Sequence, residues 1–178
     1  MFEIQPMDAG QYRAQTRRST LIVCLVLAAI CSLMAAASIA LFGAPGADNF
    51  RWNLGGVVVG LLVTIAVVRL YLWQQPWMAA AVYGFRLKRN LMKVTNVLHQ
   101  VEAEVANGDM TAMRVLRFYH LGLMQMHQLE GNSTALSDMA KKIDQHGERM
   151  VAQGLNLQQT HLDPAWLATI AARAGRKR

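Results

Sequence analysis

The sequence predicts an all-α membrane protein: a two-helix transmembrane hairpin followed by a cytoplasmic bundle of three to four helices. Three observations predict it. Of the 178 residues, 53% are hydrophobic and 16% charged, a composition on the membrane side of ordinary soluble domains. The apolar residues gather in two uncharged runs, Leu21 to Phe42 and Leu54 to Val68, and each, with its flanks, reaches the roughly 20 helical residues that a bilayer core requires. Beyond Trp77 the chain has little Pro or Gly before its tail, and its apolar residues recur at helical spacing with no strand alternation. The chain therefore divides into a cytoplasmic N-terminal arm (1–19), the hairpin (20–75) and a cytoplasmic helical domain with a basic tail (76–178). The spans fall at about 20–42 and 54–73, with a periplasmic loop at 43–53.

Arg13, Arg17 and Arg18 precede the first span, as they would precede a cleaved signal. The apolar run, however, continues to Phe42, past the roughly 7–15 residues of a signal's apolar region. Cys24 and Cys31 lie seven residues apart on one face, out of disulfide reach, and read as small packing residues. The connecting loop holds only Arg51 and Asp48, whereas basic residues flank the outer ends of both spans, including Arg86, Lys88, Arg89 and Lys93 after the second. That asymmetry puts both termini in the cytoplasm of a bacterial inner-membrane, multi-pass protein. Trp52 on one side and Tyr71, Trp73 and Trp77 on the other mark the two interfaces. Small residues recur every four positions, at Ala28, Ser32, Ala36 and Ala40 in the first span and at Gly56, Gly60 and Thr64 in the second. Such stripes let helix backbones approach closely, and the short loop makes the spans antiparallel neighbours.

Arg69 is the charge that interrupts the second apolar stretch. It stands four residues before Trp73, about 6 Å along the axis, so its guanidinium reaches the cytoplasmic headgroups by snorkelling. It reads as an edge tether, the alternative being a contact with a partner or with a lipid phosphate.

In the helical domain Leu87, Leu91, Val94, Leu98, Val101 and Val105 form one seam, predicting a helix from near Pro76 to the stop at Asn107-Gly108. Asp109 caps the next helix, about Met110 to Glu130, which is apolar around most of its circumference. Gly131-Asn132-Ser133 ends it and caps a third helix carrying Leu136, Met139, Ile143 and Met150 on one side. Asp163-Pro164 opens a short fourth helix through Trp166, Leu167 and Ile170, and the tail adds Arg173, Arg176, Lys177 and Arg178.

The chemical inventory is thin. No glycine-rich phosphate loop, HExxH, CxxC or nucleophile elbow is present, so neither an enzyme nor a resident cofactor is expected. His120 and His127 lie about 20° apart on the helical wheel, with Met113 and Met124 on the same flank. Their axial separation of about 10 Å is too long for one metal ion, and no metal site is assigned. Gly122, on an apolar side, permits a close helix contact. Phe118, Tyr119, His120, Gly122, Met124 and His127 are the interaction candidates of this helix, with Arg69 in the hairpin. Residues 74–178 hold 13 Lys and Arg against 8 Asp and Glu, a net charge of +5. Anionic headgroups of the bilayer are the nearest partner for that charge; nucleic acid is excluded because no aromatic platform or reading helix accompanies it.

The layout of basic arm, two spans and helical region, with the stretch FYHLGLMQMHQLEGN at residues 118–132, resembles a family of small uncharacterised proteobacterial two-span inner-membrane proteins. The resemblance covers nearly the whole chain and implies an inner-membrane location. The expected function is a membrane-anchored helical interaction or scaffold protein, forming a homo-oligomer or joining a larger inner-membrane complex. The alternative is a ligand or metal sensor using His120 and His127.

Overall fold

The computed structural model describes residues 1–176, the side chains of residues 133, 135–138 and 174–176 excepted. The expected cap at Ser133, the apolar position Leu136 and the terminal Arg176, Lys177 and Arg178 therefore lie outside the described side chains. Seven α-helices are present among the described residues: α1 (Ala9–Phe42), α2 (Phe50–Leu70), α3 (Ala79–Thr95), α4 (Leu98–Ala106), α5 (Met110–Glu130), α6 (Ser133–Ala152) and α7 (Pro164–Arg176). Two two-residue strands, β1 (Phe2–Glu3) and β2 (His161–Leu162), pair antiparallel. The fold is all-α, with two long apolar helices ahead of a helical bundle.

The chain forms two compact units, one of Met1–Arg13 together with the chain from Tyr83 onward, the other of Ala14–Val82. The first part of the N-terminal arm, Met1–Arg13, belongs to the helical domain, and residues 14–19 belong to the other unit. Phe2 pairs with Leu162 across the small sheet, and its ring lies 6.0 Å from that of Tyr83 and edge-on to Phe118 at 6.2 Å. Ile4 donates its N–H to the Thr160 carbonyl at 2.8 Å. Gln5 is held through the Tyr83 hydroxyl, which receives its N–H at 3.1 Å, and through the Gln125 amide, which donates to its carbonyl at 2.5 Å. Asp8 then caps α1, accepting the Gln11 N–H at 2.7 Å. The helix starts eleven residues earlier than the span alone requires. Its first turns bring Tyr12 against the bare backbone of Gly84, where any Cβ would collide with the phenol, and let Arg13 donate to the Leu129 carbonyl at 3.3 Å.

α5 runs through the middle of this domain. Val115, Phe118, Ala112 and Met113 are buried, and the flanks at Tyr119, Leu123 and Met126 are half-covered. A helix apolar all round needs neighbours on several sides, and its own chain supplies them: α4, α6, α7 and β2 pack on it. Asp109 accepts the Ala112 N–H at 2.7 Å at its start. At its end Gly131, at φ +76, closes the helix with Asn132 donating to the His127 carbonyl, the reach-back that a left-handed glycine allows.

The single helix expected from Pro76 to Asn107 is instead three pieces. Two short 3-10 turns, Leu72–Gln74 and Pro76–Met78, precede α3, and α3 and α4 are separated at Asn96–Val97. Val94, Thr95 and Val97 are β-branched, and the Thr95 hydroxyl donates to the Leu91 carbonyl at 3.1 Å, side-chain competition of the kind that loosens helices. The apolar seam survives the break, with Leu87, Leu91, Val94, Val101 and Val105 all buried.

In the other unit Gly56, Gly60 and Thr64 are the buried residues of α2. A Cβ on Gly56 would stand 2.5 Å from the Met34 carbonyl oxygen, and one on Gly60 would stand 2.7 Å from the Cys31 Cα. The glycine stripe is thus the seat of α1. The stripe expected on α1 is not its counterpart: Ala28, Ser32, Ala36 and Ala40 are exposed, and Cys31, Met34 and Ala35 meet the glycines instead. Each four-residue step advances about 40° around a helix, so three steps carry that stripe away from any single face. The Cys31 thiol also lies 3.7 Å from the Val57 carbonyl.

Candidate functional site

The helical domain holds a small cavity of about 180 Å³ where α4, α5 and α6 meet, lined by His120, His146, Lys142, Gln145, Arg149 and Glu102 among others. His120 is 9% exposed, and its ring stands 5.3 Å from the ring of His146, edge to face. His146 donates from Nε2 to the Met113 carbonyl at 3.0 Å, which fixes its neutral tautomer with Nδ1 bare. His120 Nδ1 is buried with no hydrogen-bond partner among the described residues. Burial, reinforced by the neighbouring His146 ring and by the cations Arg117 and Lys142, pushes the His120 pKa down to about 4. Burial also lowers that of His146, against the opposing pull of its bond to Met113. The site is a neutral imidazole pair beneath two exposed cations.

His127 Nδ1 is likewise buried with no hydrogen-bond partner among the described residues. His127 lines no part of the cavity, and the neighbour of His120 is His146. Among the described residues no group of three or more His, Cys, Asp or Glu is placed to hold a metal ion. Of the other α5 candidates, Phe118 and Gly122 are buried inside the domain. Phe118 is fully buried against Phe2. A Cβ on Gly122 would stand 2.9 Å from Leu91 Cδ2. Tyr119 and Met124 are half-buried on the flanks. The sequence did carry a signal for His146: it falls three residues after Ile143 and four before Met150, on the apolar seam of α6. Lys142 and Arg149 flank that seam and become part of a site only when α6 folds against α4 and α5.

In the hairpin, α1 and α2 enclose a groove of about 300 Å³ lined by Val23 and Leu27 on one side and Leu61, Ile65 and Val68 on the other, with Arg69 at its end. The Arg69 guanidinium lies 5.3 Å from the centre of the Trp73 ring, within cation–π range. The side chain therefore curls toward the C-terminal end of α2. That end lies level with the start of the α1 apolar run, where the Ser19 hydroxyl donates to the Trp77 carbonyl at 2.8 Å.

Both apolar helices are long and apolar enough to cross a membrane, at 34 residues for α1 and 25 for the stretch Phe50–Gln74. No curated protein and no solved structure matches the chain. A family model described as "Protein of unknown function (DUF3087)" matches residues 2–167, so it spans the hairpin and both sides of the histidine cavity, and the chain belongs to that family.

Proposed function

We propose that the chain is a membrane-anchored helical interaction protein without catalytic activity. In this reading α1 and α2 cross the bacterial inner membrane as a hairpin, both termini are cytoplasmic, and the helical domain engages a second copy or a larger membrane complex. The observation that supports the anchor is the bareness of the apolar helices: Leu25 is 70% and Leu62 is 62% exposed, and neither the α1 window nor most of the α2 window is covered by protein. Water penalises such surface by roughly 25 cal/mol per Å², whereas hydrocarbon does not. The excess of basic residues at the outer ends of the spans supports the orientation.

The surface for a partner moves from α5, which its own chain covers, to α3. Met92 is 64% exposed there, three residues after the exposed Arg89 and so on one face with it. Purification of the whole chain in mild detergent followed by mass determination tests this. The expected particle is an oligomer or a complex, reduced to monomer by the double change Arg89→Glu and Met92→Asp; a monomeric wild-type particle with no companion contradicts it.

A receiver role is a second reading, favoured by the cavity under Lys142 and Arg149 with the unpartnered His120 Nδ1 at its wall. It uses His120 and His146 in place of His120 and His127, and it suits a small anion. Inorganic phosphate should then raise the melting temperature of the wild type and not of Lys142→Ala; equal responses of the two remove this reading.

A further inference from the structure

The groove between α1 and α2 has one kind of wall and one kind of charge. Val23, Leu27, Leu61, Ile65 and Val68 make it apolar along its length, and Arg69 supplies a cation at its end. One face of the guanidinium is taken by Trp73. Its N–H donors, which lie in the plane of the group, have no carboxylate or carbonyl acceptor among the described residues. A guanidinium presents these donors as a fork that matches two oxygens of one phosphate.

Two further arginines lie on α1 at this end. Arg17 and Arg18 precede Ser19 on α1, and the bond from Ser19 to Trp77 sets them at the same end of the hairpin as Arg69. The C-terminal carbonyls of α2 stabilise the cation there through the helix dipole, which accounts for an arginine near that position. It does not account for an open apolar groove running away from it. An empty groove facing hydrocarbon forfeits dispersion contacts that a flexible chain would supply.

We propose that this groove is a site for one anionic phospholipid, an acyl chain lying along Val23, Leu27, Leu61 and Ile65 and the headgroup phosphate paired with Arg69. The inference rests on the membrane reading above. A zwitterionic lipid offers the same phosphate, but its ammonium opposes Arg17, Arg18 and Arg69, so the charge of the site selects a lipid with net negative charge. Lysine is a poor substitute at this position, because it lacks the planar fork and the stacking on Trp73.

The test uses the full chain, delipidated in detergent and titrated with phosphatidylglycerol or phosphatidylcholine while bound lipids are counted by native mass spectrometry. The wild type should retain one phosphatidylglycerol at least about tenfold more tightly than phosphatidylcholine, a difference of about 1.4 kcal/mol. Arg69→Leu should lose that preference. Val68→Trp, which fills the groove and leaves the arginine, should lose the bound lipid of either kind. Glycerol phosphate, a headgroup without chains, should not compete at equal concentration. Equal retention of the two lipids by the wild type, or unchanged phosphatidylglycerol retention in Arg69→Leu, would overturn the proposal, as would a co-purifying membrane protein that is released only by changing Arg69. Extraction of the chain from membranes by alkaline carbonate, measured in parallel, marks failure of the membrane reading itself; an integral protein indifferent to lipid charge marks failure of this site alone.

Discussion

His120 shows how burial and charge together set the response of the domain to acid. Its pKa near 4 lies well below the ordinary value of 6.5, so as the pH falls the unfolded chain takes up the proton first. The contribution is whole above about pH 6.5 and is lost as the pH drops toward 4, by up to roughly 3 kcal/mol at about 1.4 kcal/mol per pKa unit and less where solvent reaches the ring. Thermal melts of the full chain in detergent from pH 7 to pH 4.5 should show this decline, and His120→Gln should flatten it; an unchanged slope would show that the proton goes elsewhere. Asp109 gives a second residue-scale outcome. It caps α5 through Ala112 and accepts Arg173 Nη1 at 2.5 Å. Partial burial raises its pKa, but these bonds hold it below the ordinary carboxylate value. Asp109→Ala should cost about 1–2 kcal/mol, read as a lower melting temperature, and Asp109→Asn should recover much of it because an amide oxygen also caps. The cap was legible from Asn107-Gly108-Asp109 alone, since capping is local chemistry. The histidine pair was not, because His120 and His146 lie on different helices and only packing brings them together; the chain spacing that joined His120 to His127 measured one helix and not the domain.

At the scale of elements, the hairpin depends on which face of each helix is small. Gly56 and Gly60 touch the backbone of α1, while Gly55 has nothing within 4 Å of a Cβ. Gly60→Val should therefore separate α1 from α2 and lower the amount of folded protein, whereas Gly55→Val should leave it unchanged apart from small propensity effects. Comparing the two at equal expression in a detergent melting assay checks this, and equal behaviour would mean that the glycines are not the seat. The α2 stripe was legible because three small residues at four-residue spacing span only about 80°. The longer α1 stripe was misleading for the same geometric reason, winding over about 120° while Cys31 and Ala35 did the packing. The break between α3 and α4 was hidden because the heptad-like seam continues across it, and hydrophobic periodicity reports the buried face and not the continuity of the backbone.

On the scale of the whole molecule, the two ends of the sequence meet in one domain. Phe2, Ile4 and Gln5 close over Tyr83 and Phe118 beside β2, so Phe2→Ala should destabilise the helical domain by about 1–2 kcal/mol, less than emptying a core aromatic site because the ring is only half-buried. The short arm of Phe2, Glu3, Ile4 and Gln5 gave no sign of this, since two-residue strands leave too little alternation to read. The two long apolar helices were the more legible part, because an uncharged run of that length forms a continuous helix. Paired topology reporters at Ala47 and at the C-terminus read out the placement of that hairpin. Activity of the periplasmic reporter at Ala47 with activity of the cytoplasmic reporter at the C-terminus is the predicted result; a cytoplasmic Ala47, or a C-terminus on the opposite side, would contradict it.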